Sequence, residues 1–154
     1  MMRAVIVESR VFASWSDYQE ALIRAIAPLT PEQLQQRPLP TLRTPGEIAA
    51  HIVYGRALHL THSLGSAAAA VQPWLAWDGS NAEPQTAAAI VDGLEATWKL
   101  LAVTLQRGAP TDPVTDDDDA TLIQTIWGLL DHDLPHAGEL SLLLGAQGLP
   151  GVEI

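Results

Sequence analysis

The sequence contains no cysteine, one phenylalanine, and eight lysine and arginine side chains against 18 aspartates and glutamates in 154 residues. Without cysteine there is no disulfide framework, no thiolate metal site and no cysteine nucleophile. The formal net charge of −10 works against non-specific binding to nucleic acid, which depends on counterion release by many Lys and Arg. The same shortage argues against an anionic membrane surface. Near the N-terminus the longest apolar run is Ala4 to Val7, too short for a signal-peptide core or a membrane span. These absences fit a cytoplasmic protein with neither nucleic acid nor membrane as a partner. Strand-like alternation of useful length is also missing.

What is present is helical periodicity. Apolar residues make up 47% of the chain, enough for a full-sized core, and the length predicts a single domain over residues 1–154. Segment one, about Ser9 to Leu29, carries Val11, Trp15, Tyr18, Leu22, Ile26 and Leu29 at steps of three and four, the mark of one helical face. TPEQL, Thr30 to Leu34, reads as a cap, a first-turn proline and a short turn of helix. Segment two opens at Thr44-Pro45-Gly46-Glu47, a capping box with proline at the first helical position. It should run to about Leu64, where Gly65 stops it. Residues 65–83 form a connector too long for antiparallel neighbours and predict a crossover that makes the second and third helices parallel. Segment three covers about Gln85 to Arg107. Asp116 to Asp119 then read as carboxylates before a helix N-terminus; a calcium loop would need alternating oxygen ligands and a turn glycine that this stretch lacks. Segment four runs from about Ala120 to Ala146. Together the four segments predict an all-α four-helix bundle with a long crossover between helices two and three.

The fourth apolar stripe is interrupted near its middle by His132 and His136. Four residues advance a helix roughly 6 Å and about 40° round its axis, so both imidazoles lean from one face toward a single point. His51, about two turns into segment two, is the third candidate. Three nitrogen ligands from two helices would leave coordination positions open on a metal. HxxxH pairs also occur without a metal, so the spacing by itself leaves core or exposed histidines as the other reading. His62 lies roughly 16 Å along the helix from His51, outside any shared site, and both His59 and His62 read as exposed or rim histidines. Asp131, Asp133 and Glu139 are nominees to accept a hydrogen bond from the outer N–H of a ligating histidine, although each also reads as a plain surface or helix-pair charge. Arg56 reads as a solvated helix residue and Glu47 as the capping-box acid. Pro135, between the two helix-four histidines, removes one backbone hydrogen bond and reads equally as a tolerated kink or as a device that aims His136. Trp74 and Trp77, on the long connector, are placed to cover the mouth of a pocket.

The stretches WSDYQEALIRAIAPLTPEQLQQRP, TPGEIAAHIVYGR and LLDHDLPHAGELSLLLGAQG, in that order over nearly the whole chain, resemble the DinB-like (DinB/YfiT) family of metal-binding four-helix bundles. The resemblance implies a divalent metal held by His51, His132 and His136, a crossed connection between helices two and three, and frequent homodimers. It implies Zn²⁺ or Ni²⁺ before Fe: a related iron-binding domain carries HxxxHxE, and here that glutamate is Gly138 with Glu139 one residue on. In activity it implies thiol-dependent S-transfer to a small molecule, with the thiol supplied by a low-molecular-weight cosubstrate, and metal-assisted hydrolysis second. A non-catalytic metal- or ligand-binding dimeric bundle is the alternative. The residues name no general base.

Overall fold

The computed structural model describes residues 2–105 and 122–153. The order is α1 (Met2–Ile26), a short α2 (Pro31–Gln35), α3 (Pro45–Leu64), a 3-10 run (Gly65–Ala76), α4 (Ala87–Leu105) and α5 (Leu122–Gly145). No strand occurs among the described residues. The Asp116 to Asp119 stretch and the end of segment three lie outside them.

The four long helices surround one apolar core. Trp15, Tyr18, Leu22 and Ile26 of α1, Ile48, Ile52 and Leu60 of α3, Ile90, Leu94 and Leu101 of α4, and Ile126, Leu129 and Leu140 of α5 are all buried in it. These are the three-and-four-spaced positions of the sequence, so each helix buries the face that its pattern marks. Trp98 remains half-buried and packs edge-on against Trp15, 5.8 Å between ring centroids. α3 is the central element. It packs against α2, the 3-10 run, α4 and α5, which explains why so much of its circumference is buried.

The start of α3 is fixed locally. The Thr44 hydroxyl accepts from the Glu47 N–H at 3.1 Å, and the Glu47 carboxylate accepts from the Thr44 N–H at 2.7 Å. Arg37 adds a 2.7 Å ion pair to Glu47 and donates to the Leu42 carbonyl. Partial burial works against the Glu47 carboxylate, but the Thr44 N–H and the Arg37 charge outweigh it and hold the carboxyl below its ordinary range. α2 repeats the device, with Thr30 and Gln33 as the reciprocal pair. At the far end Gly65, at φ 53°, closes α3 by donating to the Thr61 carbonyl, a backbone conformation that glycine adopts without a Cβ penalty.

From Gly65 the chain doubles back along α3. Gln72 reaches Thr61 at 3.1 Å, and Asp78 arrives beside His51. α4 therefore begins next to the N-terminal half of α3, and Gly93 lies against Val53, where an added Cβ would also press on Trp74. This is the crossover. Both boundaries of α1 differ from the sequence expectation. α1 begins at Met2 rather than Ser9, because nothing in residues 2–8 breaks a helix once the downstream turns have nucleated it. It ends at Ile26, one turn before Leu29, with Pro28 beyond it. Residues 65–76 of the connector form a twelve-residue 3-10 run. Its small residues allow it to lie close to α3, and Ala68 and Val71 are buried there.

Candidate metal centre

His51 projects from the second turn of α3, and His132 and His136 from the middle of α5. The two helices make one of the largest interfaces in the molecule. One ring nitrogen from each histidine lies within 4.8 Å of the others. The Nε2 atoms of His51 and His132 are 3.3 Å apart, and the His136 ring stands edge-on to His51 at 4.6 Å between centroids. The three side chains are 14%, 17% and 21% exposed, so the cluster sits at the rim of the bundle, partly dry but reachable from solvent.

The helices come this close because of Gly55. A Cβ at that position would overlap the His132 ring. Glycine in mid-helix costs up to about 1 kcal/mol relative to alanine, and here the missing side chain is what lets the imidazole sit against the α3 backbone.

The opposite nitrogen of each ring faces a carboxylate. His136 Nδ1 lies 3.0 Å from Glu139 Oε2, His132 Nδ1 lies 3.4 Å from Asp133 Oδ1, and His51 Nδ1 lies 3.3 Å from Asp78 Oδ1. The first is a good hydrogen bond. The His51–Asp78 approach is at ion-pair distance without hydrogen-bond alignment, and His51 Nδ1 has no other partner. With Nδ1 turned to a carboxylate, each imidazole has Nε2 available, and those of His51 and His132 meet; an outer acceptor that hydrogen-bonds Nδ1–H fixes tautomer and raises ligand basicity. Burial lowers the His51 pKa, with Arg43 and His136 adding to the effect and Asp78 opposing it. A lowered value favours the neutral ring, the form that binds metal. Three imidazole nitrogens, a fitted notch and outer carboxylates suit a borderline divalent ion. Among the described residues no other group of His, Asp or Glu comes together in this way.

The remaining residues singled out by sequence fall as follows. Glu139 and Asp133 face the histidines; Asp131 is exposed and makes no such contact. Arg56 is not solvated. It is 2% exposed, because its partner Asp133, 0% exposed, waits in the core at 2.6 Å. His59 is half-buried, its ring 5.9 Å from that of His132, and burial followed by the charges of His132 and His62 lowers its pKa. His62 is exposed. Pro135 stands within α5 without ending it. Asp78 escaped the sequence reading altogether. It lies in a turn of the connector, where neither spacing nor neighbouring residues mark it.

Behind His51 is a cavity of about 540 Å³, lined among others by Arg37, Arg43, Ala50, Trp77 and Asp78. None of the three histidines is in its lining; Asp78, which stands beside His51, is. Trp77 forms part of its wall, whereas Trp74 packs against Gly93.

A family model for the DinB superfamily matches residues 15–140. The chain belongs to the DinB superfamily. The match includes all three histidines of the cluster and all of α3 and the crossover. No curated protein and no solved structure matches the chain. The three histidines lie close enough to hold a metal ion, and the five α-helices among the described residues agree with a DinB-like helical bundle. No described helix is long and apolar enough to cross a membrane.

Proposed function

We propose that this DinB-superfamily protein is a divalent-metal-dependent enzyme acting on a small molecule, with His51, His132 and His136 as the protein ligands of Zn²⁺ or Ni²⁺. The observation that carries this reading is the number and placement of the ligands. Three imidazoles from two helices, each partly exposed, leave coordination positions free, as catalytic sites do and closed structural sites do not. The adjoining cavity supplies room for an organic molecule, and its boundary runs through Asp78.

A divalent metal in this place supplies Lewis acidity, lowering the pKa of a coordinated thiol or water so that a nucleophile exists near neutral pH. The chain's own part is to hold three neutral imidazoles at one point, to keep their outer N–H groups on carboxylates, and to shield one side of the site with the bundle core. Because the protein has no cysteine, a thiol nucleophile must come from a low-molecular-weight cosubstrate. We assign S-transfer as the reaction: the thiolate forms a C–S bond, the electrophile's leaving group departs, and the thiol proton passes to solvent. Metal-assisted hydrolysis, with water as the nucleophile, stands second. A homodimer belongs to the same proposal.

The alternative, a non-catalytic metal- or ligand-binding dimeric bundle, draws on Ile123, Trp127 and Leu134. They are 39%, 65% and 49% exposed at helical spacing on α5, an apolar stripe with no partner among the described residues.

The test is metal content by mass spectrometry on untagged protein, with His132→Ala as control. Near-stoichiometric zinc or nickel, lost in the variant, supports the site. Loss of free thiol in a screen of thiols against electrophiles, dependent on that metal, separates the enzyme from the binding module. Wild-type protein that holds no more metal than the variant, even with excess divalent ions, overturns the metal-dependent reading.

A further inference from the structure

We propose that Arg56 and Asp133 are a positioning pair that sets the tautomer and direction of His132. The inference builds on the metal reading above but is tested without it as well.

A buried ion pair is poor value as a stabilising element. Taking both charges out of water costs about as much as their attraction returns, and an apolar pair of similar volume often serves stability better. Arg56 and Asp133 are nonetheless 2% and 0% exposed, and their contact is 2.6 Å from Arg56 Nε to Asp133 Oδ2. The pair is further held by its surroundings. Arg56 Nη1 donates to Gln19 Oε1 at 2.5 Å, and the Tyr18 hydroxyl donates to the Asp133 carbonyl at 3.2 Å. α1 thus clamps the pair from one side.

The second carboxylate oxygen, Oδ1, faces His132 Nδ1. Two consecutive residues of α3 therefore meet two consecutive residues of α5. Gly55 seats the His132 ring by having no side chain, and Arg56 holds the Asp133 carboxylate that addresses that ring. An anchored carboxylate accepts from Nδ1–H, which leaves the lone pair on Nε2, the atom 3.3 Å from His51 Nε2. The other two outer carboxylates differ in kind. Asp78 and Glu139 are 36% and 53% exposed and have no cation holding them among the described residues. Asp133 alone is fixed from behind, so it is the one able to impose a direction.

The experiment compares wild type, Asp133→Asn, the charge-neutral double variant Arg56→Gln/Asp133→Asn, and the exposed control Asp131→Asn. Two quantities are read: the His132 tautomer in metal-free protein, from long-range ¹H–¹⁵N spectra above the pH of imidazole protonation, and the zinc dissociation constant, by chelator competition. The expected result is an Nδ1–H tautomer of His132 in wild type and in Asp131→Asn. In Asp133→Asn and in the double variant, which leaves no uncompensated buried charge, that preference is lost and zinc binds about 10–100-fold more weakly. A wild-type His132 protonated on Nε2 overturns the proposal outright. So does a folded Asp133 variant that keeps the wild-type tautomer and binds zinc within twofold. If wild type shows the expected tautomer, the variants lose it and no form binds zinc, the positioning role stands and the metal reading falls.

Discussion

Gly55 and His132 occupy one space: the imidazole sits where a side chain on Gly55 would be, 77 residues earlier in the chain. Helix α3 gives up a favourable residue so that α5 can bring a ring against its backbone.

Gly55→Ala separates the site from the fold. Alanine is the better helix former by up to about 1 kcal/mol, but its Cβ must displace the His132 ring. The expected outcome is a metal affinity reduced more than about tenfold, the order of a lost supporting interaction. The helical circular dichroism of the metal-free protein should be retained. Unchanged affinity would mean that the ring has another seat.

Asp78→Asn tests the reach of the crossover. Asp78 is partly exposed and contributes little to packing, so the melting temperature of metal-free protein should hardly move. Zinc affinity, read by chelator competition, should fall by less than in Asp133→Asn, below about tenfold, because Asp78 is 36% exposed and stands at 3.3 Å from His51 Nδ1 without hydrogen-bond alignment. Equal affinities in the two proteins would leave Asp78 as a wall of the cavity only.

Thr44→Ala removes the hydroxyl half of the α3 capping box and keeps the backbone N–H that donates to Glu47. Thr44 is buried and its hydroxyl serves the Glu47 N–H. A loss of about 1 kcal/mol, within a range of about 0.5–2, is expected in urea denaturation. Thr30→Ala in the exposed box of α2 should cost less, because that helix is a single turn.

Stability of the metal-free protein should fall with acid in a defined window. His51 and His59 both have pKa values below the ordinary 6.5, chiefly through burial. As pH drops through about 6.5 the unfolded chain takes up protons that the folded chain refuses. Stability contributed by these two groups is therefore full above 6.5 and decreases below it, until the folded-state values are passed. Denaturation midpoints between pH 8 and pH 5 check the sign; a midpoint that rises on acidification from pH 7 contradicts it. Zinc-dependent stabilisation should weaken over the same window, since protons compete for the same nitrogens.

How much of this was legible in sequence follows from the range of each interaction. The capping box at Thr44, the buried faces of the helices and the need for a crossover are local or periodic features. The faces were visible because a helix repeats its environment every three to four residues, the cap because its residues are near neighbours in the chain, and the crossover because the connector is long. His51, His132 and His136 could be nominated from spacing and from the family resemblance, though only the folded chain brings their rings together. Arg56 was misread because a lone arginine on a helix belongs in water unless a partner is waiting, and its partner is 77 residues away. Asp78 was invisible for a related reason: its position beside His51 depends on how the 3-10 run folds back, and a string of alanines carries no periodic mark of that path. The early start of α1 had no signal either, since helix continuation needs only the absence of a breaker.

The separation of 81 residues between His51 and His132 also sets an order in time. In an unfolded chain, bringing two points that far apart together costs roughly (3/2)RT ln n, about 4 kcal/mol. The chain must be synthesised as far as α5 before the rings can meet. A chain broken off before His132 offers only one of the three imidazoles of the cluster, with His59 and His62 further along the same helix. Loading of the proposed metal would then report on synthesis as far as α5.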